Sequence, residues 1–283
     1  MALFKKRKKE SVAIPFLISM VITLLVIGIP VFTLYNQKVN KNMGNNGEAA
    51  DTVFMPTEAN DTTILFSYTP NDKSLRPSFM ILRTSAMSKS LTFIPVSNDL
   101  LCGSEKMINI FKKGGIIELT KAVNKTFDTK IDRYVNFDDN SLSVLCDALG
   151  GVNFNIPEGL KGLNAGTQYN DSSFIIAIIT NPKYAEDART VALGNIFADM
   201  LGGTTTKITA DMLEYAYEKD IDLVETDITA LDYENQKKAV EYIFSSTQYV
   251  STYRVPAAKG NAEQGLTLDK DALKQLKADS GLK

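Results

Sequence analysis

The sequence predicts an α/β layered domain preceded by one N-terminal transmembrane helix. Three observations carry that prediction. Five consecutive basic residues, Lys5-Lys6-Arg7-Lys8-Lys9, stand before an uncharged, mostly apolar run from Val12 to Tyr35. From Thr62 onward, short β-prone segments alternate with segments of helical apolar spacing. Glycine and proline punctuate these segments at their ends, as turns between layered elements require.

The run of 24 uncharged residues is long enough to cross a hydrocarbon core of roughly 30 Å as a helix. Pro15, Gly28 and Pro30 are tolerated in such a helix. The excess of Lys and Arg before it predicts a cytoplasmic basic tail over 1–11, a signal anchor over 12–35 and an extracytoplasmic remainder. A cleaved signal peptide has a shorter apolar core and a small-x-small site, whereas this run closes on Thr33-Leu34-Tyr35-Asn36-Gln37. Residues 36–60 read as a linker, rich in Asn, Gly and charge and without an apolar period. The extracytoplasmic domain is predicted over 61–283.

Within it, Thr63–Tyr68, Ser78–Arg83 and Leu91–Pro95 read as strands, the third ended by its proline. Gly114-Gly115 precedes Ile116–Val123, whose apolar spacing suits an amphipathic helix. Arg133–Phe137 alternates as a half-buried strand. Ser141–Leu149 reads as a helix closed by Gly150-Gly151 in the left-handed C-terminal position. Val152–Ile156 has period two and stops at Pro157, and the apolar run Phe174–Ile179 is a buried piece of strand or helix. Arg189–Leu201 spaces its apolar residues like a core-facing helix. Helices are further expected over Met212–Tyr217 and Glu234–Phe244, with short strands around Val224 and Arg254. Thr267-Leu268-Asp269 leads into a last helix from Lys270, with Thr or Asp placed to cap it.

Beyond residue 11 the chain carries 26 basic and 32 acidic side chains, a net charge of −6. That argues against nucleic acid as a partner, which needs a basic footprint, but leaves room for an anionic ligand held by a few arginines. With no histidine, a histidine-based triad is excluded. Cys102 and Cys146 allow one disulfide or two buried thiols.

The series Ile131-Asp132-Arg133-Tyr134-Val135-Asn136-Phe137, then Leu145-Cys146-Asp147-Ala148-Leu149-Gly150-Gly151-Val152-Asn153-Phe154-Asn155-Ile156-Pro157, resembles the LytR-CpsA-Psr family of cell-envelope proteins. Ile108-Asn109 with Gly114-Gly115, Ile94-Pro95, Ala165-Gly166-Thr167-Gln168 and Arg189-Thr190 extend the likeness in order across about 62–201. The resemblance implies a central mixed sheet flanked by helices. It also implies a magnesium-dependent phosphotransferase, moving an anionic glycopolymer from a polyprenyl-pyrophosphate carrier onto peptidoglycan beside the membrane lipid bilayer. Arginine forks suit a pyrophosphate, aspartates would hold Mg2+, and an apolar tunnel would take the isoprenoid. Older names in the family include transcriptional attenuator.

At the positions the family uses for chemistry, this chain differs. By spacing, the two metal aspartates fall near Thr69 and on Ser78, the Arg-Asp after the proline on Val96 and Ser97, and a further arginine on Thr180. In the helix that should open Arg-x-x-Arg-Gln, the residues are Glu186, Arg189 and Thr190. Arg76 and Arg189 remain as candidate phosphate ligands, with Asp72 and Asp99 as candidate substitutes for the lost carboxylates. Each has a plainer reading: Arg189 pairing with Glu186 or Asp187, Arg76 as a loop arginine, Asp99 and Asp187 as surface or capping residues. The sequence thus favours a non-catalytic binding or scaffolding member, with glycopolymer, peptidoglycan or envelope-assembly proteins as partners. The alternatives are a diverged, Mg2+-dependent phosphotransferase and an anchored module that binds a protein or peptide.

Overall fold

A computed structural model describes residues 54–149, 152–156, 160, 163, 166–170, 172–202, 207–245 and 248–283. The predicted basic tail, the signal anchor over 12–35, most of the linker and the Gly150-Gly151 cap lie outside the described residues. Among the described residues, no helix is long and apolar enough to cross a membrane.

The β-prone segments after Thr62 pair into one mixed sheet, because their alternating apolar residues can be covered on both faces. Its strands are β1 (Thr62–Tyr68), β2 (Ser78–Ser85), β3 (Ser90–Val96), β6 (Arg133–Phe137), β9 (Glu225–Thr226) and β10 (Val250–Tyr253), in the order β10-β3-β2-β1-β6-β9. β1 runs antiparallel to β2 and parallel to β6, and β3 runs antiparallel to β2 and parallel to β10. Two short hairpins stand apart: β4 (Leu101–Cys102) with β5 (Glu105–Lys106), and β7 (Val152–Ile156) with β8 (Gly166–Asn170). A third joins β11 (Ala258–Asn261) to β12 (Gly265–Leu268).

Side-chain parity divides the core. Leu65, Phe79, Ile81, Ile94 and Val96 face α1 (Met107–Phe127) and α7 (Lys270–Ser280). Tyr68, Met80, Leu82, Phe93 and Phe137 face the other side. That side is covered by α2 (Asp139–Ala148), α3 (Ser172–Thr180), α4 (Glu186–Gly202), α5 (Ala210–Asp220) and α6 (Ala230–Phe244). The open choice for Phe174–Ile179 resolves as helix, with Ile175, Ile178 and Ile179 buried. α2 starts two residues earlier than expected because Asp138 caps it, accepting from the Ser141 backbone N–H at 2.9 Å. Asp269 caps α7 through the backbone N–H groups of Asp271 and Ala272.

One expectation needs correction, and another is extended. Pro95 does not end β3, which runs on to Val96. The Arg254 backbone N–H donates to the Phe93 carbonyl, so odd-numbered residues of β3 face β10. β10 pairs only as far as Phe93, and the N–H that Pro95 lacks has no strand opposite it. Gly114-Gly115 precedes the helix over Ile116–Val123 as expected, but residues from Met107 are already helical, so the two glycines form a kink between two helical stretches of α1. Gly115 has φ 63° and ψ −158°, a conformation open in practice to glycine alone. Cys102 lies on β4 and Cys146 on the core-facing side of α2, and no disulfide joins them.

Candidate functional site

The carboxyl ends of β1, β3 and β6 lie along one edge of the sheet, where layered α/β domains commonly bind ligands. The loop after β1 brings Arg76 there, the turn after β3 brings Asn98 and Asp99, and α4 begins there with Glu186. The β3 turn is fixed on three sides. The Asn98 amide donates to the Pro77 carbonyl at 2.8 Å, the Ile108 N–H donates to the Asn98 carbonyl at 3.1 Å, and the Leu266 N–H donates to the Asp99 carbonyl at 2.8 Å.

These segments enclose a polar cleft of about 360 Å³, lined by Arg76, Asp99, Thr180, Tyr184, Glu186 and Arg189 among others. Glu186 is its hub. One carboxylate oxygen accepts the Asn98 backbone N–H at 2.9 Å. The other is bonded to Nη2 of Arg189 and lies 3.5 Å from Nη1 of Arg76. Burial pushes the Glu186 carboxyl above its ordinary pKa, opposed by the Asn98 N–H and the two guanidinium groups. Arg76 also lies 3.6 Å from Asp99, and Asp99 lies 3.4 Å from the Lys106 ammonium. Arg76 is about half exposed (48%), whereas the Arg189 and Asp99 side chains are 8% and 5% exposed.

The two candidate arginines therefore meet in one cleft, and of the candidate carboxylates Asp99 joins them. Asp99 is a buried ion-pair partner, which corrects the surface or capping reading. Asp72 does not line the cleft. It caps its own loop, accepting the Ser74 N–H at 2.9 Å, and that bond holds its carboxyl below the ordinary pKa. Lys106 and the Asn98 N–H were not singled out in the sequence. They reach the cleft through the β4–β5 hairpin and the β3 turn, which leave no periodic signature.

A second space opens between the sheet and α2, α4, α5 and α6. This cavity of about 270 Å³ is almost wholly apolar, with Phe66, Phe93, Phe137, Phe197, Leu213 and Phe244 in its wall. The Glu214–Lys237 ion pair and Tyr233 stand in the same wall and are partly exposed. α4 serves both spaces, with Glu186 and Arg189 at the cleft and Phe197, Met200 and Leu201 at the cavity.

The LytR_cpsA_psr family profile matches residues 41–174. Over that segment the chain is similar to the LytR-CpsA-Psr family. Its fold is similar to that of a protein described as a transcription regulator from Eubacterium siraeum, at 19% identity and a TM-score of 0.70, covering 84% of this chain and 97% of that one. It is also similar to TagV of B. subtilis, at 15% identity and a TM-score of 0.60 over 77% of this chain and 95% of that one. A third similar structure is TagT bound to LI-WTA, at 13% identity and a TM-score of 0.58 over 78% and 91% of the two chains. Comparison with curated protein sequences returns no match.

Magnesium, which the LytR-CpsA-Psr resemblance implies, does not fit the residues at the expected positions. Thr69 donates its hydroxyl to the Asn136 side-chain oxygen at 2.8 Å, an acceptor it shares with Ser67 at 2.7 Å. Ser78 is buried with its hydroxyl 3.4 Å from the Ile179 carbonyl, and the Ser97 hydroxyl accepts the Asp99 N–H at 3.2 Å. Asp99, two residues after Ser97, is held between Lys106 and Arg76. Among the described residues, no three His, Cys, Asp or Glu side chains gather as metal ligands.

Proposed function

We propose that this protein is a membrane-anchored, extracytoplasmic member of the LytR-CpsA-Psr family in cell-wall and envelope biogenesis. It binds rather than transfers. The apolar cavity receives the isoprenoid of a polyprenyl-linked glycopolymer, and the bound lipid is held near peptidoglycan or envelope-assembly proteins. The similar fold of TagT bound to LI-WTA supports a lipid-linked glycopolymer as the class of ligand. The run from Val12 to Tyr35 would place the cavity where such a lipid leaves the bilayer.

One observation carries the non-catalytic part: the two arginines left for a pyrophosphate are both turned to Glu186. A carboxylate in that position repels an incoming phosphate and takes up the donors it would need. The cavity weighs against a pure peptide-binding module, which needs no lipid-sized space. A polyprenyl phosphate titrated into the full chain in detergent should bind saturably. A Val240→Trp variant, filling the cavity from its wall, should bind at least about tenfold more weakly. Equal binding by the two proteins would sink the reading. The convergence of Arg76 and Arg189 in one cleft favours a second reading, a diverged transferase, and turnover of the lipid pyrophosphate separates the two.

A further inference from the structure

Glu186 is the first residue of α4, a helix of 17 residues, and its carboxylate lies where a helix start attracts anions. Its partners are those a phosphate would use: a backbone N–H from Asn98 and the guanidinium groups of Arg189 and Arg76. A second observation is independent of the helix. Arg189 is 7% exposed and lines the cleft, yet its Nε has no hydrogen-bond partner. A guanidinium offers five N–H donors in a planar fork suited to two-point binding of phosphate. Glu186 engages this fork through Nη2 and leaves Nε unused. Arg76 and Arg189 line the cleft against Asp99 and Glu186, and Lys106 pairs with Asp99 from outside that lining.

We propose that the Glu186 side chain is an intramolecular stand-in for a phosphate group, and that the cleft binds inorganic phosphate or pyrophosphate when this carboxylate is withdrawn. Without its charge, the two arginines of the cleft face one carboxylate, Asp99, which Lys106 already partly offsets. Nη2 of Arg189 is then released beside the unpartnered Nε, and the Asn98 N–H becomes available. The inference rests on the non-catalytic reading for the state of the wild-type cleft, and it names what closes that cleft.

The test titrates inorganic pyrophosphate into the full chain in detergent, without metal, by calorimetry and by thermal shift. Wild type, E186A, E186Q and E186A/R189A are compared. E186Q keeps an acceptor for the Asn98 N–H, so the test does not depend on the truncated variant alone. E186A and E186Q are expected to bind at least about tenfold more tightly than wild type, with a matching rise in Tm on adding ligand. E186A/R189A should return to the wild-type level. The proposal is overturned if folded E186Q and E186A gain nothing, if wild type already binds as tightly, or if the gain survives loss of Arg189. The non-catalytic reading fails by a different result, turnover by wild type.

Discussion

Glu186 and Arg189 form a buried ion pair one helical turn apart, with Arg76 as a looser third member at 3.5 Å. Taking away one partner of such a pair leaves a buried charge, at a cost of about 3–5 kcal/mol in the harshest cases. Arg76 remains for Glu186, so R189A should lose about 2–4 kcal/mol in urea unfolding. E186A/R189A should be less destabilised than the two single losses added, with a coupling of about 1–3 kcal/mol. Additive losses would show that the pair is not coupled. Asp220 makes a separate prediction. Burial, with Asp138 nearby, raises its carboxyl from the ordinary 3.8 to about 7, and one of its oxygens has no hydrogen-bond partner. A raised carboxyl favours the fold in its protonated form. That contribution is complete below about pH 4 and lost as pH rises through about 7. Asp220→Asn should flatten the decline of Tm between these limits and raise Tm at pH 8 by several degrees; an unchanged profile would contradict it. The Arg189–Glu186 pairing was legible in the sequence from its spacing of three residues on a helix. The burial of Asp99 was not, because it depends on a turn pinned by Leu266, far along the chain.

α1 shows how one glycine shapes an element. A Cβ at Gly115 would meet nothing within 4 Å, so any penalty for adding one comes from the backbone alone. Gly115→Ala should therefore destabilise by about 1–3 kcal/mol in denaturant without changing the binding of a prenyl ligand. A neutral substitution would mean that the kink relaxes freely. The main strands and α4 were legible because apolar alternation or helical spacing exposed them. The helical residues from Met107 to the kink were missed, since too few of them precede the glycines to show a period. β11 escaped notice for another reason: all four of its residues, Ala258–Asn261, are exposed, so no core face imprinted a pattern.

At the scale of the whole molecule, the account joins an apolar cavity, a cleft closed by its own carboxylate and a predicted anchor. The resemblance read from the sequence agrees with the family match over residues 41–174 and with the fold, and the mixed sheet it implied is present. The cavity was implied by that resemblance alone. Its walls come from four strands and four helices spread along the chain, a convergence no local pattern reports. The anchor makes its own prediction. A reporter active only outside the cytoplasm, fused after Lys283, should be active, and deleting residues 12–35 should release the protein from membranes. An inactive fusion would reverse the assigned orientation. The central claim, binding of a polyprenyl-linked glycopolymer without transfer, is tested most directly by one measurement. Full-length protein, reconstituted with a polyprenyl-pyrophosphate-linked glycopolymer, peptidoglycan and Mg2+, is followed for cleavage of the pyrophosphate. The account predicts that the lipid is bound and recovered intact, with turnover no greater than in protein-free controls. Magnesium-dependent cleavage that disappears in R189A would contradict it.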